Sequence, residues 1–484
     1  DKKVFKADKF QRGREVIEAS LNLELCSLPR GMGWKCTVEG FKSIYGVRFS
    51  LKYLPVGRVI VPVPGGLEVE PEDEVVYNFT LGSARFAIFE CLDKTLWIRA
   101  NERPFRLNRI WVNRIGEKMV LDTYSEENAW ERAENYTSPL WVLEEVGGWK
   151  SALEEYRLWM EKTYGLKTFE QREDVPHWAK EIALYVNIYA HTYTNRIHYT
   201  FSEISNVLEE IAKRFPARNT LLYLAGWDGR IDMTYPEYKP SKDVGGEEGL
   251  KSLIDKAHSL GFKMMLHFNM WGVGYNSPLY EKFKEHQVRD SEGRTLGWSF
   301  DHNKDGVTED LFAYISPDQE DFRELLIEKI SAIVKKYGID AVHLDQSAAY
   351  INDPKHDVYR GLQLLVKEIK RRFPSLLIEG EGIDERTVAL TPIYHVWVRG
   401  DKKHPVFREL FNAYAKPVGH MDMPSIAYKK RYGRSQDLYD FLGVIPSLGL
   451  NSTYPTTAGA GLGEPLPMPN LDCEEARTTF ERAK

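Results

Sequence analysis

Two patterns of apolar and polar positions divide the chain. Up to about residue 145, short alternating segments recur, among them "SIYGVRFSLKYL", "GRVIVPVP", "GLEVEPEDEVVYNFTL", "ARFAIFECL", "TLWIRAN", "RIWVNRI" and "KMVLDTYS". Turn residues separate them, and no long helical period intervenes, which predicts antiparallel strands packed as a sandwich. "WKSALEEYRLWMEKT", 149–163, then reads as a helix, followed by the polar stretch "KTFEQREDVPHW".

From Ile182 onward, apolar runs alternate with segments of helical period. The strands are "IALYVNIYA", "NTLLYLAGWDG", "FKMMLHFNMWG", "AVHLDQ", "SLLIEGEG", "IYHVWVRGD", "PVGHMDMP" and the end of "DLYDFLGVIPSLGLN". Between them lie amphipathic helices such as "GEEGLKSLIDKAHSLG", where Leu250, Leu253, Ile254, Ala257 and Leu260 share a face and Gly261 suits the C-terminal cap. Ser316-Pro317-Asp318-Gln319 predicts a capping box opening another helix. Eight such units predict a (β/α)8 TIM barrel. A doubly wound open sheet is the alternative, but it needs fewer strands and a ligand loop at the switch point. The predicted organisation is therefore an N-terminal β-sandwich over 1–148, a helical linker over 149–176, the barrel over 177–455 with an insertion near 275–315, and a C-terminal tail over 456–484.

Composition narrows the function classes. The 484 residues are 43% hydrophobic and 28% charged with a net charge of -6, which describes a globular chain without the basic surface that nucleic acid or anionic lipid requires. No apolar run reaches the length of a membrane span. Cys26, Cys36, Cys91 and Cys473 are too sparse for a disulfide scaffold, although Cys26 and Cys36 could pair. The first residue is Asp1; a removed leader and a sequence that simply starts there both fit, so cytoplasmic and secreted locations stay open.

Chemistry concentrates where the predicted strands end. Strand one carries Tyr185, Asn187 and Tyr189, and strand two ends in Trp227 and Asp228. Strand three carries His267, Asn269 and Trp271, strand four His343 and Asp345, and strand five Glu379 and Glu381. Strand six ends in Trp397, Arg399 and Asp401, and strand seven holds His420 and Asp422. The i, i+2 spacing puts each set on one face, and in parallel barrels the functional groups gather at the carboxyl ends of the strands. One polar residue past a strand is ordinary; seven strands doing so together point to a site. Carboxylates there are costly unless paired or used, which makes Asp345 with Glu379 or Glu381 the leading constellation. Glycosidic cleavage needs such a pair, about 5–5.5 Å apart for retention. Trp227, Trp271 and Trp397 could stack on sugar rings, and each could equally cap the barrel core. Asp228, His267, Asn269, His420 and Asp422 could hold hydroxyls, with His267 a core histidine on the plainer reading, while His343 or Arg399 could keep the nucleophile ionised.

This layout resembles the retaining α-glycosidases: melibiase-type α-galactosidases, α-amylase-type enzymes and endo-α-N-acetylgalactosaminidases. The resemblance covers about 180–455, in arrangement more than in identical residues. It implies Asp345 as nucleophile and a strand-five Glu as acid/base, with Glu381 preferred because it lies nearer the tip and Glu379 otherwise binding a hydroxyl. The melibiase type would instead use the strand-six Asp401. "GHMDM" looks like the His-Asp pair that binds hydroxyls in α-amylase-type barrels. The α-amylase type has Arg two residues before its nucleophile where this chain has His343, which argues against a true α-amylase, and the upstream sandwich fits the galactosidase or endo-α-N-acetylgalactosaminidase layout. Relatives of this layout often carry a further β-domain after the barrel.

Two weaker motifs carry rival readings. Asp301, Asn303 and Asp305 with Gly306 match half a calcium loop, but Phe312 stands where its closing Glu belongs, so a polar turn is preferred and no metal or cofactor is expected. "TAGAGLGE", 457–464, lies where barrels hold phosphates, which would suit a lyase or aldolase acting on a phosphorylated substrate; that class wants a Schiff-base Lys or metal cluster at the strand tips. A non-catalytic carbohydrate-binding barrel would keep the aromatics without needing two acids. The expected partner is an oligosaccharide or glycoside.

Overall fold

The computed structural model describes every residue except 1, 13–14, 41–43, 70–74, 79–82, 101, 103–104, 133, 193–195, 230–233, 302–306, 397–402, 420–435 and 451–467. Strands from Lys2 to Val146 form two antiparallel sheets, one of nine strands and one of four. The two share one apolar core, with Trp34, Phe89, Ile98 and Trp141 from the larger sheet meeting Ile110, Val112 and Leu121 from the smaller. The buried indoles are tied across the layers: Trp34 Nε1 donates to Thr123 Oγ1 at 3.2 Å and Trp141 Nε1 to Ser125 Oγ at 3.1 Å. Cys26 and Cys36 are both free; Cys26 lies opposite Gly33 and Cys36 opposite Leu23, so the strand register keeps the two thiols apart.

Eight parallel strands follow: Leu184–Tyr189, Thr220–Ala225, Lys263–Asn269, Ala341–Asp345, Leu377–Glu381, Ile393–His395, Lys416–Val418 and Ser447–Gly449. They pair in chain order, and the eighth also pairs with the first. The remaining seam, between seventh and eighth, is bridged by Ile445 N to Pro417 O at 2.9 Å and Gly419 N to Ser447 Oγ at 3.1 Å. The sheet is thus a nearly closed parallel barrel. The pleat sorts its side chains: Val186, Leu222, Leu266, Val342 and Ile378 face the helices, whereas Tyr185, Tyr223, Met265, Ala341 and Leu377 fill the interior.

Helices form where the periodicity placed them, over Phe201–Ala212, Gly246–Leu260, Glu320–Tyr337 and Val358–Arg372. Gly261 caps the second at φ 103. The expected capping box at Ser316 does not form. Ser316 and Pro317 make a turn, the helix starts at Glu320, and its N-cap Gln319 makes no side-chain bond. The Ser316 hydroxyl accepts instead from the backbone N of Asp318 at 3.2 Å, the Gln319 N–H is taken by the Ser316 carbonyl at 3.1 Å, and the Asp318 carboxylate pairs with Arg360. The insertion after strand three is itself a three-stranded sheet, Gly272–Gly274, Glu309–Tyr314 and Gly297–Phe300, with a short helix Pro278–Phe283.

Helix Trp149–Tyr164 wedges between the N-terminal sheets and the barrel, its Tyr156 and Met160 buried in the same cluster as Phe86, Trp97 and Leu410. Beside it, Arg85 Nε donates to Glu385 Oε1 at 2.7 Å, and the hydroxyls of Tyr156 and Tyr164 donate to the same carboxylate. Burial opposes the Arg85 charge, but Glu385 outweighs it and holds the guanidinium above its ordinary pKa. Both partners are fully enclosed. Removing one partner of such a pair leaves an uncompensated buried charge, so Glu385→Ala is expected to lower stability by about 3–5 kcal/mol. Urea denaturation measures this, and a loss below about 1 kcal/mol would show the pair to be solvated.

Candidate active site

The barrel interior is layered, and register decides which polar residues reach the mouth. His267, His343 and Glu379 lie side by side on strands three, four and five. Two residues further on, Asn269 lies beside Asp345, and Glu381 beside His395. The i, i+2 pairs do share one face, but only their second members stand at the carboxyl ends.

The lower layer is a buried network. His267 Nδ1 is 2.7 Å from the Tyr223 hydroxyl and Nε2 is 2.5 Å from that of Tyr235, so one tyrosine donates and the other accepts. Burial pushes the His267 pKa down to about 3, which keeps the ring neutral. His343 stacks on His267 at 5.2 Å and places Nδ1 3.0 Å from Glu379 Oε2. His395 Nε2 lies 2.6 Å from the Tyr185 hydroxyl and 3.5 Å from Glu379 Oε1. Burial raises the Glu379 pKa well above the usual carboxylate range. His343, Glu379 and His395 bring ligand atoms within 4.8 Å of one another and could hold a metal; His343 Nδ1, Glu379 Oε2 and His395 Nε2 already serve contacts within the network, while Glu379 Oε1 has no hydrogen-bond partner among the described residues.

The upper layer is different. Asp345 is 9% exposed, and its Oδ2 accepts from Asn269 Nδ2 at 2.7 Å. Asn269 is held in turn, its Oδ1 accepting from the backbone of Trp271 and Gly272 at 3.0 and 2.7 Å. Glu381, partly exposed, accepts from the backbone N of Gln346 through Oε2 at 2.9 Å. Gln346 itself sits at φ 60, left-handed for a residue with a side chain. Its amide oxygen accepts from Trp271 Nε1 at 2.6 Å.

These positions revise several expectations. Glu379 is an interior residue below the mouth, because strand five ends two residues later. His343 and His267 belong to the same interior layer, each enclosed by rings and strands rather than turned to a ligand. Trp227 is fully buried and donates to the carbonyl of His267 at 3.0 Å, so it caps the core. Trp271 is covered by Tyr314 of the insertion, stacked at 4.3 Å, and Tyr314 is the more exposed ring. Asn269 spends its amide on Asp345. Asp228 lies at the end of strand two, 8% exposed, 3.5 Å from Thr234 Oγ1. Trp397, Arg399, Asp401, His420, Asp422, Asn303 and Asp305 lie outside the described residues, as does the Gly-rich 457–464 stretch.

Sequence reasoning missed His395, Tyr223, Tyr235, Tyr314 and Gln346. His395 was within reach, since it precedes Trp397 by two and so shares its face. Tyr314 arrives from the insertion, and Gln346 acts through a backbone N–H that no residue pattern reveals.

The neutral His267 has a consequence for stability. Below pH 6.5 the unfolded imidazole takes up a proton that the folded one refuses until about pH 3. The unfolded state then binds more protons, so this group makes stability fall as pH drops from 6.5 towards 3, by at most about 1.4 kcal/mol per pH unit. Denaturation midpoints across that window should fall less steeply in His267→Gln than in the wild type; parallel slopes would count against a neutral buried ring.

Comparison with known proteins follows the fold. Residues 136–363 match a family described as "Domain of unknown function (DUF6259)". No curated protein sequence matches the chain. Among solved structures, α-N-acetylgalactosaminidase NagBb from Bifidobacterium bifidum is similar at 13% identity over 99% of this chain and 85% of that one, with a TM-score of 0.69. The GH36 α-galactosidase AgaA from Geobacillus stearothermophilus is similar at 14% identity over 100% and 72%, TM-score 0.55. The α-galactosidase TtGalA from Thermus thermophilus is similar at 14% over 93% and 91%, TM-score 0.56. At these identities the likeness is one of fold: the chain has the architecture of the α-glycosidase-type barrels.

Proposed function

We propose that this protein is a glycoside hydrolase that cleaves an α-glycosidic bond with retention, Asp345 acting as nucleophile and Glu381 as acid/base. The observation that carries the reading is the placement of two carboxylates at the ends of neighbouring strands, with Gln346 N donating to Glu381 Oε2 at 2.9 Å immediately after Asp345. Neighbouring strands run about 4.7–4.9 Å apart, which suits the roughly 5–5.5 Å separation used for retention better than the wider gap an inverting enzyme leaves for water. In the first step Glu381 protonates the leaving oxygen while an Asp345 oxygen bonds to the anomeric carbon. In the second, Glu381 takes a proton from water, which displaces Asp345.

In this reading the two N-terminal sheets are a β-sandwich domain over 1–148, the wedge helix opens the 149–176 linker, and the barrel spans 177–455. No cofactor is required. Asp228 and Tyr314, both near the strand ends, would contact the sugar in this reading. Structures similar to this chain include complexes with GalNAc, with p-nitrophenyl α-D-galactopyranoside and with raffinose, so α-galactosides and α-N-acetylgalactosaminides are the first substrates to try. A panel of nitrophenyl α- and β-glycosides, with NMR of the first-formed anomer, tests the reading. Hydrolysis of an α-glycoside to the α-anomer is expected; activity on β-glycosides alone, or an inverted product, overturns it.

A further inference from the structure

We propose that Gln346 and Ser347, which follow strand four, are positioning residues that clamp Glu381 beside Asp345 and select the oxygen from which Glu381 gives its proton. This rests on the hydrolase reading above. Two bonds make the clamp: Gln346 N donates to Glu381 Oε2 at 2.9 Å, and Glu381 N donates to Ser347 Oγ at 2.9 Å. One holds the carboxylate and the other holds the strand end that carries it. Ser347 is 1% exposed, and it fits only because residue 380 is glycine: a Cβ there would lie 2.7 Å from Ser347 Oγ.

A left-handed backbone is strained in a residue with a side chain, as at Gln346, and such conformations persist where the surroundings over-determine them. The Gln346 amide accepts from Trp271 Nε1 at 2.6 Å and from Asn269 Nδ2 at 3.4 Å, and donates to the Tyr314 hydroxyl at 3.4 Å. Asn269 also holds Asp345 Oδ2. One residue therefore links the nucleophile's partner and the insertion through its side chain and the acid/base through its backbone N–H.

The chemistry follows from the donor's position. An N–H aimed at Oε2 disfavours a proton there, so the acidic proton of Glu381 sits on Oε1 and leaves from Oε1 to the glycosidic oxygen as the C–O bond breaks. The negative charge left behind is then partly met by the same N–H, which favours the transfer.

The test uses the full chain and aryl α-glycosides whose leaving groups run from dinitrophenol, which needs no proton, to methoxyphenol, which does. Gln346→Gly keeps the N–H and tolerates the positive φ but loses the amide anchor; Ser347→Ala loses the second bond. For each, kcat/KM on the methoxyphenyl glycoside, which reports the first step alone, should fall about 10–100-fold, with kcat/KM on the dinitrophenyl glycoside within about threefold. A loss equal across leaving groups, or none, overturns the clamp while leaving the hydrolase reading in place. A wild-type protein that hydrolyses none of the glycosides overturns both.

Discussion

Asp345→Asn is expected to lower turnover of an α-glycoside by at least about 10⁴-fold, in the range lost when a nucleophile is removed from an enzyme that works through a covalent intermediate. The substitution is nearly isosteric. Its amide can still accept from Asn269 Nδ2, which now bonds Asp345 Oδ2 at 2.7 Å, so folding and sugar binding should survive. Kinetics and calorimetric titration with the product sugar together check this. A further variant sharpens it: Asp345→Ala with added azide should form a glycosyl azide by inversion at the anomeric carbon, since azide enters the space the carboxylate leaves. Persistent turnover in Asp345→Asn would remove Asp345 from the mechanism. Unchanged binding by a wild type that shows no turnover would return the protein to the non-catalytic carbohydrate-binding class.

Glu381→Gln is expected to slow hydrolysis of substrates with poor leaving groups by about 10²–10⁴-fold, the usual contribution of a positioned acid/base. Dinitrophenyl glycosides should suffer less in the first step, because their leaving group needs little protonation, and the covalent intermediate should then accumulate for want of a base. A burst of dinitrophenol followed by slow turnover is the expected trace. Glu381→Ala with azide should give the retained glycosyl azide, opposite in configuration to the Asp345→Ala product. Glu379→Gln is the informative contrast. Its side chain is enclosed beneath the mouth and bonded to His343 at 3.0 Å, so its substitution should register in stability rather than in leaving-group dependence. If Glu379→Gln shows the leaving-group signature and Glu381→Gln does not, the roles of the two glutamates exchange.

The choice between these glutamates shows how far residue order could go. "LIEGEG" places two acids on one face of one strand, and alternation treats them alike. Their difference lies in depth. Glu379 shares a level with His343 and His267 and is fully buried, whereas Glu381 ends its strand and is partly exposed. Depth in a barrel depends on the stagger between strands, and each strand's stagger is set by its neighbours. The same limit explains Trp227: an aromatic just past a strand reads as a platform, but its indole folds back onto the carbonyl of His267. Ser316 differs for a local reason: its hydroxyl accepts from the backbone N of Asp318 and its carbonyl from that of Gln319, so the chain turns there and the helix begins at Glu320.

What the sequence determined by itself was the order and type of elements: antiparallel strands to about residue 145, then eight strands separated by helices except between the fifth and sixth, with polar residues at the strand ends. These follow from periodicity, because a strand buries every second residue and a helix every third or fourth, whatever else surrounds them. Only the tertiary structure decided which of those polar residues meet. Asp345 and Glu381 are 36 positions apart and become neighbours through pairing of strands four and five. The left-handed turn at Gln346 that joins them is held by Asn269, Trp271 and Tyr314, from strand three and the insertion. Contacts of that kind are made by distant parts of the chain at one point in space, and their strength depends on distances and angles that no local pattern of residues contains.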